Sequence, residues 1–226
     1  MLNRNDTALR FVERMQVPTG RHASLGKPDE YSNEPRRLIQ AANDAMAKAV
    51  DVVVRVAKDE GRTVAARNHR AMQEADALGA TLAKSRDGLR TEADKVEAAA
   101  RAMIADKFTL DPSRSFFHNL KHAWVAEKYR DPANGKVAID KAIKQDFELA
   151  AVIHSNEGYL LGMSDEVRLN FASHGLLAHI PEADAELGRA DALRTVADRY
   201  DGVIKDAHSS FYLRGAAMAY ERTHVE

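Results

Sequence analysis

Two histidines spaced four residues apart come closest to a metal site in this sequence. His118 and His122 lie in a segment with helical spacing, so both imidazoles project from one face of the predicted helix, as paired metal ligands do. His154 and Glu157 are three residues apart and share a face in the same way. The His-Glu-x-x-His motif of zinc enzymes is absent. The pattern favours structural histidines without a metal or another cofactor, and a metal site at these four residues is the alternative.

Other constellations that support catalysis are also missing. The chain has no cysteine, which excludes a thiol nucleophile and cysteine-ligated metals. It contains no Gly-Lys-Ser/Thr run for phosphate binding, and the residues around Ser164 lack the second glycine of a nucleophile elbow. Ser164 is better explained as a helix cap. The carboxylates between 140 and 157 lie among lysines, which is typical of surface ion pairs, so we expect no catalytic residue and no enzyme.

The charge balance argues against nucleic acid and membranes as partners. Basic residues cluster near Arg67 and Arg86, but acidic residues interleave with them, and the formal net charge of the chain is -1. No apolar run approaches the roughly 20 residues that span a bilayer, and residues 1–16 do not resemble a signal peptide. The expected location is therefore the cytoplasm or a particle.

Residues 1–33 are predicted to form an extended, irregular arm. Pro18, Gly20, Gly26 and Pro28 interrupt this segment, which has one short amphipathic stretch at about 8–17. The composition allows the arm to cover its own domain or to reach a neighbouring subunit.

The segment from about 34 to 107 is predicted to be helical. Ser32-Asn33-Glu34-Pro35 provides a helix start, and no proline follows until Pro112. Alanine, glutamate, lysine, arginine and leucine dominate, and these are the strongest helix formers. Residues 58–63, with Gly61 among them, are the expected place for a bend. The segment is either one continuous rod or an antiparallel hairpin.

A seven-residue repeat within this helical segment predicts an interaction face. Its members are Ala75, Leu82, Leu89, Val96, Met103 and Leu110. The positions that would complete a coiled-coil seam are half polar, so the seam is weak for an isolated two-stranded coiled coil. A seam of this kind is expected to be covered by another chain or by another part of the same chain.

The residues after 110 are predicted to form a helical bundle. Asp111-Pro112 and Asp131-Pro132 each combine an acidic cap with a proline in the first turn, and Asn134-Gly135 can delay the second helix to about 136. The helix that follows Pro112 carries the aromatic stripe that we expect to nucleate the core, comprising Phe116, Phe117, Leu120, Ala123 and Trp124.

Two helix ends are also predicted in this bundle. A helix that starts at Ser164 is expected to close near His174-Gly175, where glycine suits a left-handed cap. A helix that starts at Pro181 either continues through Tyr200–Tyr220 or breaks near Asp201-Gly202.

Together these patterns predict an all-α fold with a long alanine-rich helix or hairpin, a compact helical bundle and an irregular N-terminal arm. The expected domains are 1–33, 34–110 and 111–226, and the last two can also pack as one domain. The favoured function is a non-enzymatic structural or assembly protein that contacts itself or another protein, such as a component of a virion or tail. There are two alternatives: a helical-bundle metal-binding protein or enzyme that uses His118 and His122, and a helical regulator that binds nucleic acid or a partner protein.

Overall fold

The computed structural model describes residues 2–3 and 5–224, excluding the side chains of 223 and 224. Within this range the chain forms α-helices and short 3-10 turns and contains no strand, which confirms the predicted all-α class. The α-helices are α1 (Asp6–Gln16), α2 (Pro18–Leu25), α3 (Asn33–Lys58), α4 (Val64–Lys107), α5 (Ser115–Tyr129), α6 (Gly135–Ile143), α7 (Phe147–Ser155), α8 (Asp165–His179), α9 (Pro181–Phe211) and α10 (Arg214–His224). No helix among the described residues has both the length and the apolar character needed to cross a membrane.

The described residues divide into two compact units. Unit 1 comprises the residues up to Asp94 and those from Asp191 onward, and unit 2 comprises Lys95–Ala190. The chain passes from unit 1 to unit 2 inside α4 and returns inside α9. This division differs from the expected boundaries at 33 and 110, because the N-terminal segment and the end of the chain both pack into unit 1.

The long predicted helical segment is a hairpin. α3 ends at Lys58, and the Asp59 carboxylate accepts a hydrogen bond from the N–H of Gly61 at 3.0 Å within the turn. α4 then returns along α3, and a Cβ atom on Gly88 would lie 2.9 Å from Cδ1 of Leu38. Glycine therefore permits a close approach between two helices that are joined at residues 59–63.

In unit 1, α9 runs antiparallel to the first part of α4. Arg90 of α4 pairs with Asp198 of α9 at 2.7 Å, and Asp94 of α4 pairs with Arg194 of α9 at 2.8 Å. The residue numbers of the partners in α9 therefore decrease as those in α4 increase. Of the two alternatives for this helix, the break near Asp201-Gly202 is absent, because α9 continues through Gly202 and ends only at Phe211. The chain leaves the helix just afterwards, where the N–H of Leu213 donates to the side-chain oxygen of the buried Asn68 at 2.7 Å.

The N-terminal segment folds back onto unit 1 instead of extending away from it. α1 occupies the predicted amphipathic stretch, and the ring centroids of Phe11 and Phe211 lie 6.1 Å apart. α2 was not predicted, because the prolines and glycines of this segment indicated irregular structure. It ends next to α9, where the Tyr200 hydroxyl donates a hydrogen bond to the Leu25 carbonyl at 2.9 Å. The composition allowed this segment either to cover its own domain or to reach a neighbouring subunit. In the structure the segment covers its own unit.

The buried stripe of α4 follows the predicted seam only in part. Ala75, Leu82 and Leu89 are fully buried, and the intervening Leu78 and Ser85 are buried with them. Beyond Leu89 the buried positions differ from the predicted members Val96, Met103 and Leu110 of the repeat. The buried residues there are Ala93, Ala100, Ile104 and Phe108. A straight helix has 3.6 residues per turn, so its buried face drifts by about 20° per heptad from a strict seven-residue repeat.

Unit 2 is built around a separate apolar core. Ile139, Ile143, Ile153 and Leu161 are fully buried and belong to one cluster. Gly175 lies inside α8, and a Cβ atom there would come within 2.9 Å of the Ala150 side chain. The prediction that α8 closes at Gly175 is wrong, because this glycine allows α8 to approach α7 instead of capping a helix.

Local caps in unit 2 agree with the sequence more closely. The Ser164 hydroxyl accepts a hydrogen bond from the Val167 N–H at 3.4 Å at the start of α8, as predicted. Asp131 accepts a hydrogen bond from the N–H of Ala133 at 2.9 Å, and α6 begins at Gly135. The Asn134-Gly135 turn therefore delays this helix as expected.

Replacing Gly26 with alanine should destabilise unit 1. Gly26 follows α2 with φ +89°, a conformation that side chains disfavour, and an added Cβ atom would lie 3.1 Å from Val196. We expect Gly26→Ala to lower the free energy of unfolding by about 1–3 kcal/mol, measured by urea denaturation. The control is Gly202→Ala in α9, where a Cβ atom meets open space and should stabilise by up to about 1 kcal/mol. Equal stabilities of the two variants would contradict this explanation.

Candidate functional site

The aromatic stripe of α5 faces solvent. The side chains of Phe116, Phe117 and Leu120 are 68%, 52% and 52% exposed. Phe116, Leu120, Ala123 and Glu127 are spaced at 4, 3 and 4 residues and share one face of the helix. The prediction that this stripe nucleates the core is wrong for Phe116, Phe117 and Leu120, whereas Trp124 packs partly buried against the core of unit 2. We call the surface formed by Phe116, Phe117, Leu120 and Ala123 the α5 stripe.

The opposite side of α5 carries the contacts with unit 2. Among the fifteen residues of α5, all of them described, Val125 alone is fully buried. Trp124 and Tyr129 are partly buried against the core of unit 2. His118 and His122 are half-buried on the same side of the helix as Val125. Val125 follows Phe116 by nine residues, which places it about 180° around the helix axis from Phe116. The inward side of this helix therefore carries both apolar and polar residues, while Phe116, Phe117 and Leu120 face outward.

An ionic network fixes α5 in this orientation. The Lys121 ammonium donates a hydrogen bond to the Asp146 carboxylate and lies 3.3 Å from Glu148. Arg114, just before α5, pairs with the other oxygen of Glu148 at 2.6 Å. The guanidinium of Arg114 also lies 5.6 Å from the ring centroid of Phe117, within cation–π distance. These contacts tie the start and the middle of α5 to the start of α7.

Asp146 connects this network to the backbone of α7. Its carboxylate accepts a hydrogen bond from the Leu149 N–H at 3.0 Å and so caps the helix. Burial by itself raises the pKa of Asp146, but Lys121 and the Leu149 N–H stabilise the carboxylate by more, and the net pKa lies below its usual value. The carboxylate stays ionised well into acid.

The network was only partly visible in the sequence. Lysines and carboxylates between 136 and 157 were expected to pair within their own helix, and Asp140 does pair with Lys144 at 2.7 Å. Asp146 instead pairs with Lys121, which is 25 residues earlier in the chain. Helical spacing identifies neighbours three or four residues apart, and it carries no signal for this pair.

The structure does not gather the four metal candidates into a site. His154 packs on Phe108 with a ring-centroid distance of 5.2 Å, and burial lowers its pKa. Glu157 is exposed after the end of α7. Within the described part of the chain, no group of three histidine, aspartate or glutamate side chains is arranged to hold a metal. His118 and His122 therefore share a helix face without further ligands beside them.

The predicted interaction face on α4 is largely covered by the chain itself. Ala75, Leu82 and Leu89 are fully buried in unit 1. Val96 is half-buried, Met103 is 38% exposed, and Leu110 is partly buried against the core of unit 2. The first half of the repeat therefore stabilises the fold of unit 1 and is closed to a second chain in this structure.

Replacing Asp146 with asparagine should remove the charge of the network and keep the helix cap. Because the pKa of Asp146 is lowered by folding, its carboxylate stabilises the protein above the unfolded pKa of about 3.9, and this contribution is lost as pH falls through the folded pKa. Asp146→Asn should lower the free energy of unfolding by about 0.5 kcal/mol at pH 7, a small value because solvent screens the pair. Urea denaturation should show that this deficit shrinks as the pH falls below the unfolded pKa and through the lowered pKa of the folded state.

The matched control for this variant is Asp106→Asn. Asp106 is exposed on the part of α4 that belongs to unit 2, so this substitution makes the same charge change outside the network. It should produce no comparable deficit at pH 7. An Asp146→Asn protein as stable as the wild type at pH 7 would contradict a stabilising network.

Comparison of the chain with protein-family models, with curated proteins and with solved structures gives no significant match. Among the described residues, the most distinctive surface is the α5 stripe, which is held outward by Lys121, Asp146, Glu148 and Arg114.

Proposed function

We propose that this protein is a non-enzymatic helical assembly protein that associates with a second copy of itself through the α5 stripe. The observation that supports the proposal is the exposure of Phe116, Phe117 and Leu120 together on one helix. Contiguous exposed apolar surface is costly in water, and on soluble proteins it commonly marks an interaction site. Aromatic residues and arginine are enriched at the centres of protein interfaces, and Arg114 lies beside Phe117.

The ionic network supports a stable binding surface. A rotation of α5 about its axis that turned Phe116 toward the core of unit 2 would expose Val125, which lies on the opposite side of the helix. Lys121 and Arg114 oppose this rotation, since it would separate them from Asp146 and Glu148. The stripe is thus presented in advance, which lowers the ordering cost of association.

The charge pattern of α5 favours an antiparallel pairing with a second copy. Glu127 is the acidic residue on the exposed face, and it lies in the last turns of the helix, near the negative end of the helix dipole. In an antiparallel pair centred on Leu120, Glu127 of one copy lies near Ser113 at the positive end of the other copy's α5. A parallel pair would place the two Glu127 carboxylates side by side. A two-fold pair is also the commonest symmetry among soluble oligomers.

The basic residues that suggested a nucleic-acid regulator are mostly neutralised within the chain. Arg62 pairs with Asp59 at 2.9 Å, Arg90 with Asp198 at 2.7 Å, and Arg86 with both Asp87 and Asp201. Cations that already bind carboxylates offer less charge to a phosphate backbone. This pattern favours the assembly function over the regulator.

Replacing Leu120 with arginine should abolish self-association. The wild-type chain is expected to show twice its mass of 25.0 kDa in light scattering coupled to size exclusion, and Leu120→Arg should show the mass of one chain. The reason is that the two arginines would meet at the centre of the proposed interface without a partner charge. The control is Leu177→Arg on α8, where the original leucine is similarly exposed at 58% and the dimer should persist.

Two outcomes would overturn the proposal. A wild-type chain that remains monomeric at about 100 µM would exclude an interface of useful affinity. A dimer that persists in both Leu120→Arg and Phe116→Asp would place the interface elsewhere. Circular dichroism should show unchanged helicity in all variants, as expected for exposed positions.

Because the chain lacks cysteine, single cysteines can report the orientation of the pair. Leu120→Cys should form a disulfide-linked dimer under mild oxidation, since the two-fold axis passes close to this residue. Glu127→Cys should not, because its two copies would be about 20 Å apart along an antiparallel pair, far beyond disulfide reach. Efficient cross-linking through Glu127→Cys would contradict the antiparallel arrangement.

A further inference from the structure

An open cleft lies between α6 and α8 in unit 2. Its volume is about 490 Å³, within the range of small-molecule sites. Val137, Val167 and Phe171 form its apolar lining. The cleft is also lined by polar side chains from both helices, and these determine which ligand chemistry it fits.

Two of the polar residues in the cleft already bind each other. Asp140 accepts a hydrogen bond from Lys144 at 2.7 Å and lies 2.5 Å from Nδ1 of His174. The hydrogen bond from Lys144, together with that from His174, lowers the pKa of Asp140. Asp140 is thus neutralised locally, and it holds the His174 ring at the cleft with Nε2 left for another partner.

Two further charges in the cleft remain unpaired. Lys136 and Glu166 both line it, and in the part of the chain that the structure describes neither forms an ion pair within 4.0 Å. The Lys136 ammonium lies 5.9 Å from the ring centroid of Tyr129, and both charged residues are exposed. One positive and one negative group therefore line the same apolar cleft without neutralising each other.

We propose that this cleft binds a free α-amino acid with an apolar side chain. The carboxylate of the ligand pairs with Lys136, its ammonium group with Glu166, and its side chain packs on Val137, Val167 and Phe171. Asn170 and Nε2 of His174 supply further acceptors for the ammonium group. This inference does not rest on the assembly function, because no residue of the α5 stripe lines the cleft.

The charge balance favours a zwitterion over a simple anion or cation. An anion would be attracted by Lys136 but repelled by Glu166, and a cation would be attracted by Glu166 but repelled by Lys136. A ligand with both charges satisfies both side chains at once, and hydrogen bonds to charged groups are stronger than those between neutral groups. The apolar lining then selects for an apolar side chain.

The test is a calorimetric titration with L-phenylalanine and two analogues that each lack one charge. L-Phenylalaninamide lacks the carboxylate and 3-phenylpropionate lacks the ammonium group. The wild-type protein should bind L-phenylalanine saturably and each analogue about tenfold more weakly, since each analogue loses one charge-assisted contact.

Variants of the chain should match the analogues one by one. Lys136→Met should weaken L-phenylalanine binding about tenfold without weakening that of the amide, whose ammonium group is no longer repelled by Lys136. Glu166→Gln should weaken L-phenylalanine binding about tenfold without weakening that of 3-phenylpropionate, whose carboxylate is no longer repelled by Glu166. The matched control is Lys141→Met, because Lys141 is an exposed lysine of α6 that does not line the cleft. All three positions are exposed, so the variants should fold like the wild type.

Three results would overturn the proposal. The first is the absence of saturable binding of either L-phenylalanine or L-leucine at about 10 mM. The second is wild-type affinity for L-phenylalanine in both Lys136→Met and Glu166→Gln. The third is equally tight binding of a phenylalanine residue within a peptide, since that ligand has neither charge at its α-carbon.

Discussion

The packing of α4 is the constraint on which both units depend. This one helix contributes Leu82 and Leu89 to unit 1 and Ile104 and Phe108 to unit 2. A strict seven-residue repeat would keep a single narrow stripe buried along the whole helix. The natural period of 3.6 residues instead lets the buried positions shift after Leu89, and different residues then serve each core. Small side chains such as Ala75 and Gly88 leave room for neighbouring helices to approach.

The function proposed for the protein follows from an inversion within unit 2. Most amphipathic helices bury their apolar stripe, yet α5 exposes Phe116 and Leu120 and directs Lys121 toward Asp146 and Glu148. Partly buried ion pairs contribute little net stability, but a rotation of α5 would separate Lys121 from both Asp146 and Glu148. The network therefore favours one orientation of α5, and in the function proposed above this orientation presents the aromatic surface to a second chain.

The charged residues of the cleft between α6 and α8 are arranged differently from those of the α5 network. In the α5 network each charge has a partner, whereas Lys136 and Glu166 share a cleft without forming an ion pair in the described structure. Unpaired opposite charges around an apolar surface are a binding feature, because a ligand of matching pattern can satisfy them. The two surfaces involve different residues, so the proposed assembly and the proposed ligand binding can be tested separately by mutation.

The sequence by itself determined what depends on neighbours along the chain. Helix formers, prolines and caps such as Ser164 and Asp131 located most helices, and the delayed start of α6 at Gly135 was predicted correctly. The sequence also indicated the place of a turn near Gly61 but left open whether the helix breaks there. These features follow from backbone geometry and hydrogen bonds over a few residues. The tertiary structure decided which face of each helix is buried and which charges meet. The outward direction of Phe116, the pair between Lys121 and Asp146, and the interior position of Gly175 all depend on residues distant in sequence, and local spacing carries no information about them.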